Sequence, residues 1–361
     1  MTPVVLYSGG TGRSGCTVLA SALGQVPGFV NVGEARYVWQ KGLVDNRLCG
    51  CGARFRDCAF WGKVGELAFG GWDAIDPEEV ERLRRSVDHP GRFPALMLPG
   101  ALRGMSGGEF EAGVKRFAGI LRRLYAGIVE ASGASIVVDS SRFATYALLL
   151  KRAGTDVRMV HIVRDSRGVA FSWQKKVEVT DSPDRTIFLP TYSVSSGSLR
   201  WAAYNVQTWM TRLAGVPYLF ARYEDAVADP APHLERMMAH AGSATDRTAL
   251  PLDGRSIRIT TPMHTVMGNP VRLERRSLKL KVDDEWRRGM APEARRVVTA
   301  ITLPLLLSYG YPVRIRRERG GAAPLAARSS TPSGPAEVVH SRLADAAAEV
   351  VHSRQAPGSG I

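Results

Sequence analysis

Between Gly10 and Gly15 the chain places Thr11, Gly12, Arg13 and Ser14, and it follows them with Cys16 and Thr17. An apolar run, Val4 to Tyr7, stops abruptly before this stretch at Ser8-Gly9-Gly10, and a helical pattern, Val18 to Leu23, follows it. Strand, Gly-rich loop and helix in that order put successive backbone N–H groups at a helix N-terminus, where the helix dipole adds to their pull on an anion. The glycines admit positive φ and close approach. Two glycines separated by four residues are near a Walker A spacing, but that motif needs a Lys at the next position to reach the β- and γ-phosphates, and here Cys16 stands there. The cation comes earlier, as Arg13. The loop reads as an anion cradle for something other than an ordinary nucleoside triphosphate, the bland alternative being a plain strand-to-helix turn.

A second constellation pairs Arg164 with Ser172, eight residues on. An Arg leaving the C-terminal end of a strand binds phosphate with two donors, and a Ser two turns into the following helix adds a third. A surface pair of Arg164 with Asp165 or Glu224 is the simpler reading of Arg164 alone. Placed on the same sheet edge as the first loop, it makes a second phosphate site. Glu34 lies just past the second strand, where parallel sheets present their functional loops, and Asp139-Ser140-Ser141-Arg142 ends a third. Cys49, Cys51 and Cys58 cluster in CGCGARFRDC. Zinc would want four ligands, and the fourth is not evident from the spacing. A Gly-rich turn with buried thiols, closed by Phe60-Trp61, is the simpler reading, and a disulfide disagrees with a reducing compartment.

These groups need a sheet to hold them. Apolar runs at 4–7, 26–30, 135–139, 157–163 and 217–221 alternate with helical patterns, which predicts an α/β fold: P-loop-like and three-layered, with a central, mainly parallel sheet of about four to five strands flanked by helices. Asp76-Pro77 opens a helix as N-cap and first residue. From Glu109 to Ser132, Phe110, Val114, Phe117, Leu121, Leu124 and Ile128 recur at helical spacing. Residues 89–108 and 177–197 read as a mobile connection and a long loop or lid, a helix spans about 199–213, and 251–290 reads as irregular and basic. His161 falls inside a strand, which marks it as a core residue. Beyond Arg319 the composition turns to Ala, Ser, Pro and Gly, and AEVVHSR occurs twice, at 336–342 and 348–354. The expected division is a catalytic domain over 1–318 and a disordered tail over 319–361.

With 361 residues, 45% hydrophobic and 23% charged, the chain is composed like a globular protein. No apolar run approaches the ~20 residues of a membrane span. The N-terminus lacks the basic and apolar regions of a signal peptide, so the expected location is cytoplasmic. A formal charge of +14 suits an acidic partner, but the arginines are dispersed and no nucleic-acid-binding motif is present.

Taken together the motifs resemble sulfotransferases that use 3′-phosphoadenosine 5′-phosphosulfate (PAPS), in particular the bacterial branch. The likeness spans roughly residues 3–312. It is carried by the Thr11–Thr17 loop, the His161–Ser172 segment, Val32-Gly33-Glu34, the CGCG turn with Phe60-Trp61, Val138 to Arg142, Trp201 with Asn205, Arg222-Tyr223-Glu224-Asp225, and His264 to Arg272. The resemblance implies that Thr11, Gly12, Arg13, Ser14, Gly15, Cys16 and Thr17 hold the 5′-phosphosulfate and that Arg164 and Ser172 hold the 3′-phosphate. It implies that Tyr223 belongs to the nucleotide site and that Gly268, Asn269 and Arg272 form a late loop closing over it. Arg13 and Arg142 would steady the transferring group, Glu34 would act as base, and His264 is the alternative base. PAPS is the implied cofactor, adenosine 3′,5′-bisphosphate the product, and a small-molecule, glycan or glycolipid hydroxyl or amine the acceptor. No metal ligands are assigned, because arginines and backbone donors can take the place of magnesium. The chain departs from many cytosolic relatives in having Arg13 for Lys, Cys16 for Ser or Thr, and no Lys-x-x-His. A P-loop kinase with Asp139 on magnesium, and a non-catalytic anion- or nucleic-acid-binding protein, are the rival readings.

Overall fold

The computed structural model describes residues 2–98, 107–182, 184, 186–244 and 246–313. The expected tail and its AEVVHSR repeat lie outside the described residues, as does 99–106 of the connection expected at 89–108.

Strand β1 (Val4–Gly10) leads through the Gly-rich loop into α1 (Cys16–Leu23) and then β2 (Phe29–Gly33). Helices α2 (Ala59–Phe69), α3 (Pro77–Val87), α4 (Phe93–Met97) and α5 (Gly108–Ser132) precede β3 (Ile136–Arg142). Then come α6 (Ala144–Arg152), β4 (Asp156–Val163) and α7 (Ser166–Gln174), a hairpin of β5 (Glu178–Val179) and β6 (Ile187–Phe188), α8 (Val194–Met210) and β7 (Tyr218–Arg222). The chain finishes with α9 (Tyr223–Ala228), α10 (Pro230–His240), short strands β8 (Leu252–Asp253), β9 (Ser256–Arg258) and β10 (Ser277–Lys279), then α11 (Trp286–Gly289) and α12 (Pro292–Ser308).

The expected α/β fold is present. β2, β3, β1, β4 and β7 form one five-stranded sheet in that order, and each neighbouring pair is parallel. Period-two alternation sorts its side chains. Val5, Tyr7, Val137 and Met159 pack with α2, α5 and α6, while Leu6, Val138, Val160 and Ile162 pack with α1, α9 and α10. Burial on both faces is why the strands read as continuous apolar runs. A third cluster at the β4–β7 side joins Val163, Val169, Trp201, Leu306, Tyr309 and Tyr311. From β1 the chain turns towards β2, and from β4 towards β7, so the crevice at the carboxyl ends of β1 and β4 is a topological switch point.

Three sequence expectations are corrected. β3 runs on through Ser140, Ser141 and Arg142, because both serines are buried and the Ser141 hydroxyl is bonded to Asp139. The loop expected at 177–197 contains the β5–β6 hairpin and the start of α8, whose N-cap Ser193 accepts from the Ser196 N–H. The irregular stretch expected at 251–290 contains a small antiparallel sheet of β8, β9 and β10. As expected, Asp76 caps α3, taking the N–H groups of Glu78 and Glu79.

Candidate functional site

At the carboxyl end of β1 the backbone turns sharply. Gly10 and Gly15 have φ of 122° and 79°, and Arg13, between them, has φ of 69°. Among the described residues four non-glycine positions have positive φ; Arg13 and Arg142 are two of them, and Met267, which precedes Gly268, is a third. Left-handed backbone at such residues is strained and persists where the surroundings enforce it. The Thr11 and Ser14 hydroxyls bond each other at 2.8 Å inside the loop. Gly15 has no room for a side chain: a Cβ there would lie 2.3 Å from the Tyr223 ring. Gly12 lies under Arg142, whose Nη1 would sit 3.1 Å from an added Cβ, with Trp173 beside it.

Arg164 leaves the end of β4 and crosses to this loop. Its Nη1 donates to the Arg13 carbonyl oxygen at 3.0 Å, and its Nη2 reaches the Asp283 carboxylate at 2.9 Å. The guanidinium lies over the Tyr223 ring, 5.2 Å from its centroid. The Trp201 indole fixes the Arg164 backbone by donating to its carbonyl oxygen at 3.0 Å. Asp165 and Glu224, the surface partners weighed from sequence, are engaged otherwise: Asp165 pairs with Arg167, and Glu224 accepts from the Asp165 N–H and the Tyr311 hydroxyl. Two guanidinium nitrogens here are buried without a hydrogen-bond partner, Nη2 of Arg13 and Nε of Arg164. Such donors are costly unless something accepts from them. Burial, then the like charges of Arg142 and Arg164, hold the Arg13 pKa below its ordinary value. The crevice is therefore short of negative charge.

Across the loop stands Glu34, the first residue after β2 and 3% exposed. Its Oε2 accepts from Arg142 Nη2 at 2.6 Å. Burial raises the Glu34 pKa above the usual carboxylate value, and Arg142 offsets part of that rise. Arg36, two residues further on, is turned away to Asp88. Gly33 is held against a second segment, its backbone bridging to Val266, and the Glu34 N–H donates to the Val266 carbonyl oxygen at 2.8 Å. This brings Gly268 to the site: a Cβ there would lie 3.7 Å from Glu34 Oε1 and 3.8 Å from the Thr17 hydroxyl.

Other expected residues have other employment. Arg272 is 1% exposed, and its terminal nitrogens donate to the carbonyl oxygens of Thr265 and Leu48 and to Asp181. It braces the late loop from behind. The Asn269 side chain accepts from the Val271 N–H and caps a short turn. Ser172 is half-buried on α7. Cys16 is buried, with its thiol pushed up to about 11 by burial, so it stands in the loop as a neutral group. His161 is buried as expected, between the Tyr218 hydroxyl and Asn205 and pushed down to about 4 by burial. His264, the alternative base, has its Nδ1 3.3 Å from the Cys58 sulfur and its ring stacked on Phe60. Asp139 is fully buried, with its oxygens taken by Ser141 and Tyr125. Sequence reasoning missed Asp283, because nothing marks a half-buried Asp 119 residues away as the partner of Arg164.

No family model matches the chain, and no curated protein matches it in sequence. Solved structures similar to it include the sulfotransferase domain of the Synechococcus PCC 7002 olefin synthase, with a TM-score of 0.42, 17% identity, and 86% of this chain and 96% of that one covered. Sulfotransferase STF9 from Mycobacterium avium gives a TM-score of 0.43 at 13% identity, covering 86% and 78%. A sulfotransferase from Alicyclobacillus acidocaldarius gives 0.39 at 13% identity, covering 86% and 97%. At these scores and identities the likenesses decide neither family nor activity. No helix among the described residues is long and apolar enough to cross a membrane.

Proposed function

We propose that this chain is a PAPS-dependent sulfotransferase that moves a sulfuryl group to a hydroxyl or amine of a small molecule, glycan or glycolipid. The observation that carries the reading is the pair of buried, unpartnered guanidinium nitrogens on Arg13 and Arg164, at the carboxyl ends of the adjacent strands β1 and β4. A ligand with one anionic group at each end of a nucleoside would satisfy both. The cradle also fits such a ligand in its chemistry: glycines without room for side chains, loop N–H groups, and the arginines Arg13, Arg142 and Arg164.

PAPS, when bound, supplies the sulfuryl group as a mixed anhydride with a phosphate leaving group. The Thr11–Thr17 loop and Arg13 would bind the 5′ end, and Arg164, with Ser172 from the next helix and Tyr223 beneath it, the 3′-phosphate. Arg13 and the loop N–H groups are placed to hold negative charge that builds on the leaving side, worth about 3–4 kcal/mol for a critical donor by analogy with oxyanion holes. Glu34 takes the acceptor proton at a carboxylate oxygen. Its burial makes it a stronger base than an exposed Glu, and Arg142 opposes part of that rise. Arg142, in contact with Glu34 and lying over Gly12, would face the transferring sulfuryl group.

The kinase reading is disfavoured by two observations: a neutral Cys16 stands where the Walker Lys would be, and Asp139 has no free oxygen for magnesium. A thermal-shift panel with adenosine 3′,5′-bisphosphate, ADP and ATP tests the proposal. The bisphosphate is expected to stabilise the protein most, and Arg164→Ala is expected to remove that preference while leaving weak binding of ADP. A preference for ATP, or an Arg164→Ala protein that still favours the bisphosphate, would overturn it.

A further inference from the structure

The fourth ligand that the spacing of Cys49, Cys51 and Cys58 does not show is supplied from across the fold. His264 is 206 residues from Cys58 in sequence, yet its Nδ1 lies 3.3 Å from the Cys58 sulfur and 3.9 Å from that of Cys49. The Cys51 and Cys58 sulfurs are 3.7 Å apart, and all four ligand atoms lie within 4.8 Å of one another. Zinc bonds thiolate sulfur at about 2.3 Å and imidazole nitrogen at about 2.0 Å, so a tetrahedron round it has edges of roughly 3.5–3.8 Å. The observed separations bracket that figure. We propose that Cys49, Cys51, Cys58 and His264 form a structural zinc site.

The surroundings suit it. Cys49 and Cys58 are buried and Cys51 is half-buried, so the site is closed by protein and has four ligands, leaving no open position for catalysis. Binding takes the three cysteines as thiolates and releases their protons to solvent, and no electron moves. Three thiolates and one Zn²⁺ leave one negative charge, beside which the Arg275 guanidinium donates to the Cys51 carbonyl oxygen at 3.3 Å. Phe60 stacks on the His264 ring at 4.7 Å, and the Trp61 indole donates to the His264 carbonyl oxygen at 3.0 Å, which fixes the ligand in place.

The tie joins two otherwise remote segments. The Gly50 N–H donates to the Thr265 carbonyl oxygen, and the next residue, Val266, pairs with β2 beside Glu34. Zinc would thus fasten the 263–268 segment along the sheet edge and hold Gly268 at the site independently of any nucleotide.

The test uses the full-length chain, purified without chelator and desalted after incubation with zinc. About one zinc ion per chain is expected by elemental analysis. Cys58→Ala and His264→Ala are each expected to cut retained zinc at least ~10-fold. Should either variant fail to fold, the wild-type protein still decides: refilled with Co²⁺, it is expected to show the intense d–d and thiolate charge-transfer absorption of tetrahedral cobalt. Retention below about a tenth of an equivalent, or an octahedral cobalt spectrum, would overturn the proposal. So would a count of only two titratable thiols of the four in denaturant without reductant, which would show a disulfide in its place.

Discussion

Buried Glu34 and half-buried Arg142 form an unequal pair that gives three predictions. Glu34→Gln is expected to lower kcat about 10²- to 10⁴-fold while the thermal shift with adenosine 3′,5′-bisphosphate persists, because the base is distinct from the anion cradle. The acid limb of the wild-type pH–rate profile is expected above the ordinary carboxylate range. Glu34 works ionised, its pKa is raised by burial, and protonation as pH falls through that raised value removes the base. Arg142→Ala takes away the main influence opposing the rise, so the limb is expected to move to still higher pH, a shift that a purely structural role would not produce. At this scale the sequence disclosed residue types and little of their partners. Arg13, Arg164 and Glu34 could be placed near one sheet edge because Arg164 and Glu34 directly follow strands and Arg13 lies in the loop after β1. The partners of Arg272 could not be read, because Leu48, Thr265 and Asp181 come from three separate segments and nothing in the sequence marks this Arg as buried.

The loop between β1 and α1 is an element whose shape depends on one residue having no side chain. Gly15 combines φ of 79° with the Tyr223 ring pressed against it. Gly15→Ala is expected to cost about 1–3 kcal/mol from the backbone alone, read as a lowered urea midpoint, and to abolish the bisphosphate shift as the ring and loop part. Element boundaries were legible where apolar period and capping agree, as at Asp76 before α3. They failed where polar residues are buried, since Ser140 and Ser141 look like a turn but continue β3. They also failed where strands are too short to show a period, as with the two- and three-residue strands β8 to β10.

In the whole molecule, much of the arginine that makes the chain basic is spent internally. Asp88 gathers Arg36, Arg84 and the Thr145 hydroxyl, joining the end of α3 to the turn after β2 and the start of α6. Asp88→Ala leaves the buried Arg36 guanidinium without its carboxylate, while Arg84 keeps Glu81, and is expected to cost about 3–5 kcal/mol in chemical denaturation. The three-layer architecture was readable from the alternation of runs, because burial on both sheet faces leaves a signal in every strand. Contacts between distant segments left none. The hydrogen bond from Arg164 to the Arg13 carbonyl oxygen is one of these, and it has a bearing on ligand design. Half-molecules carrying a single anionic terminus are expected to bind weakly and non-additively, since this bond joins the two arms; one compound spanning the full distance should bind far more tightly in calorimetry.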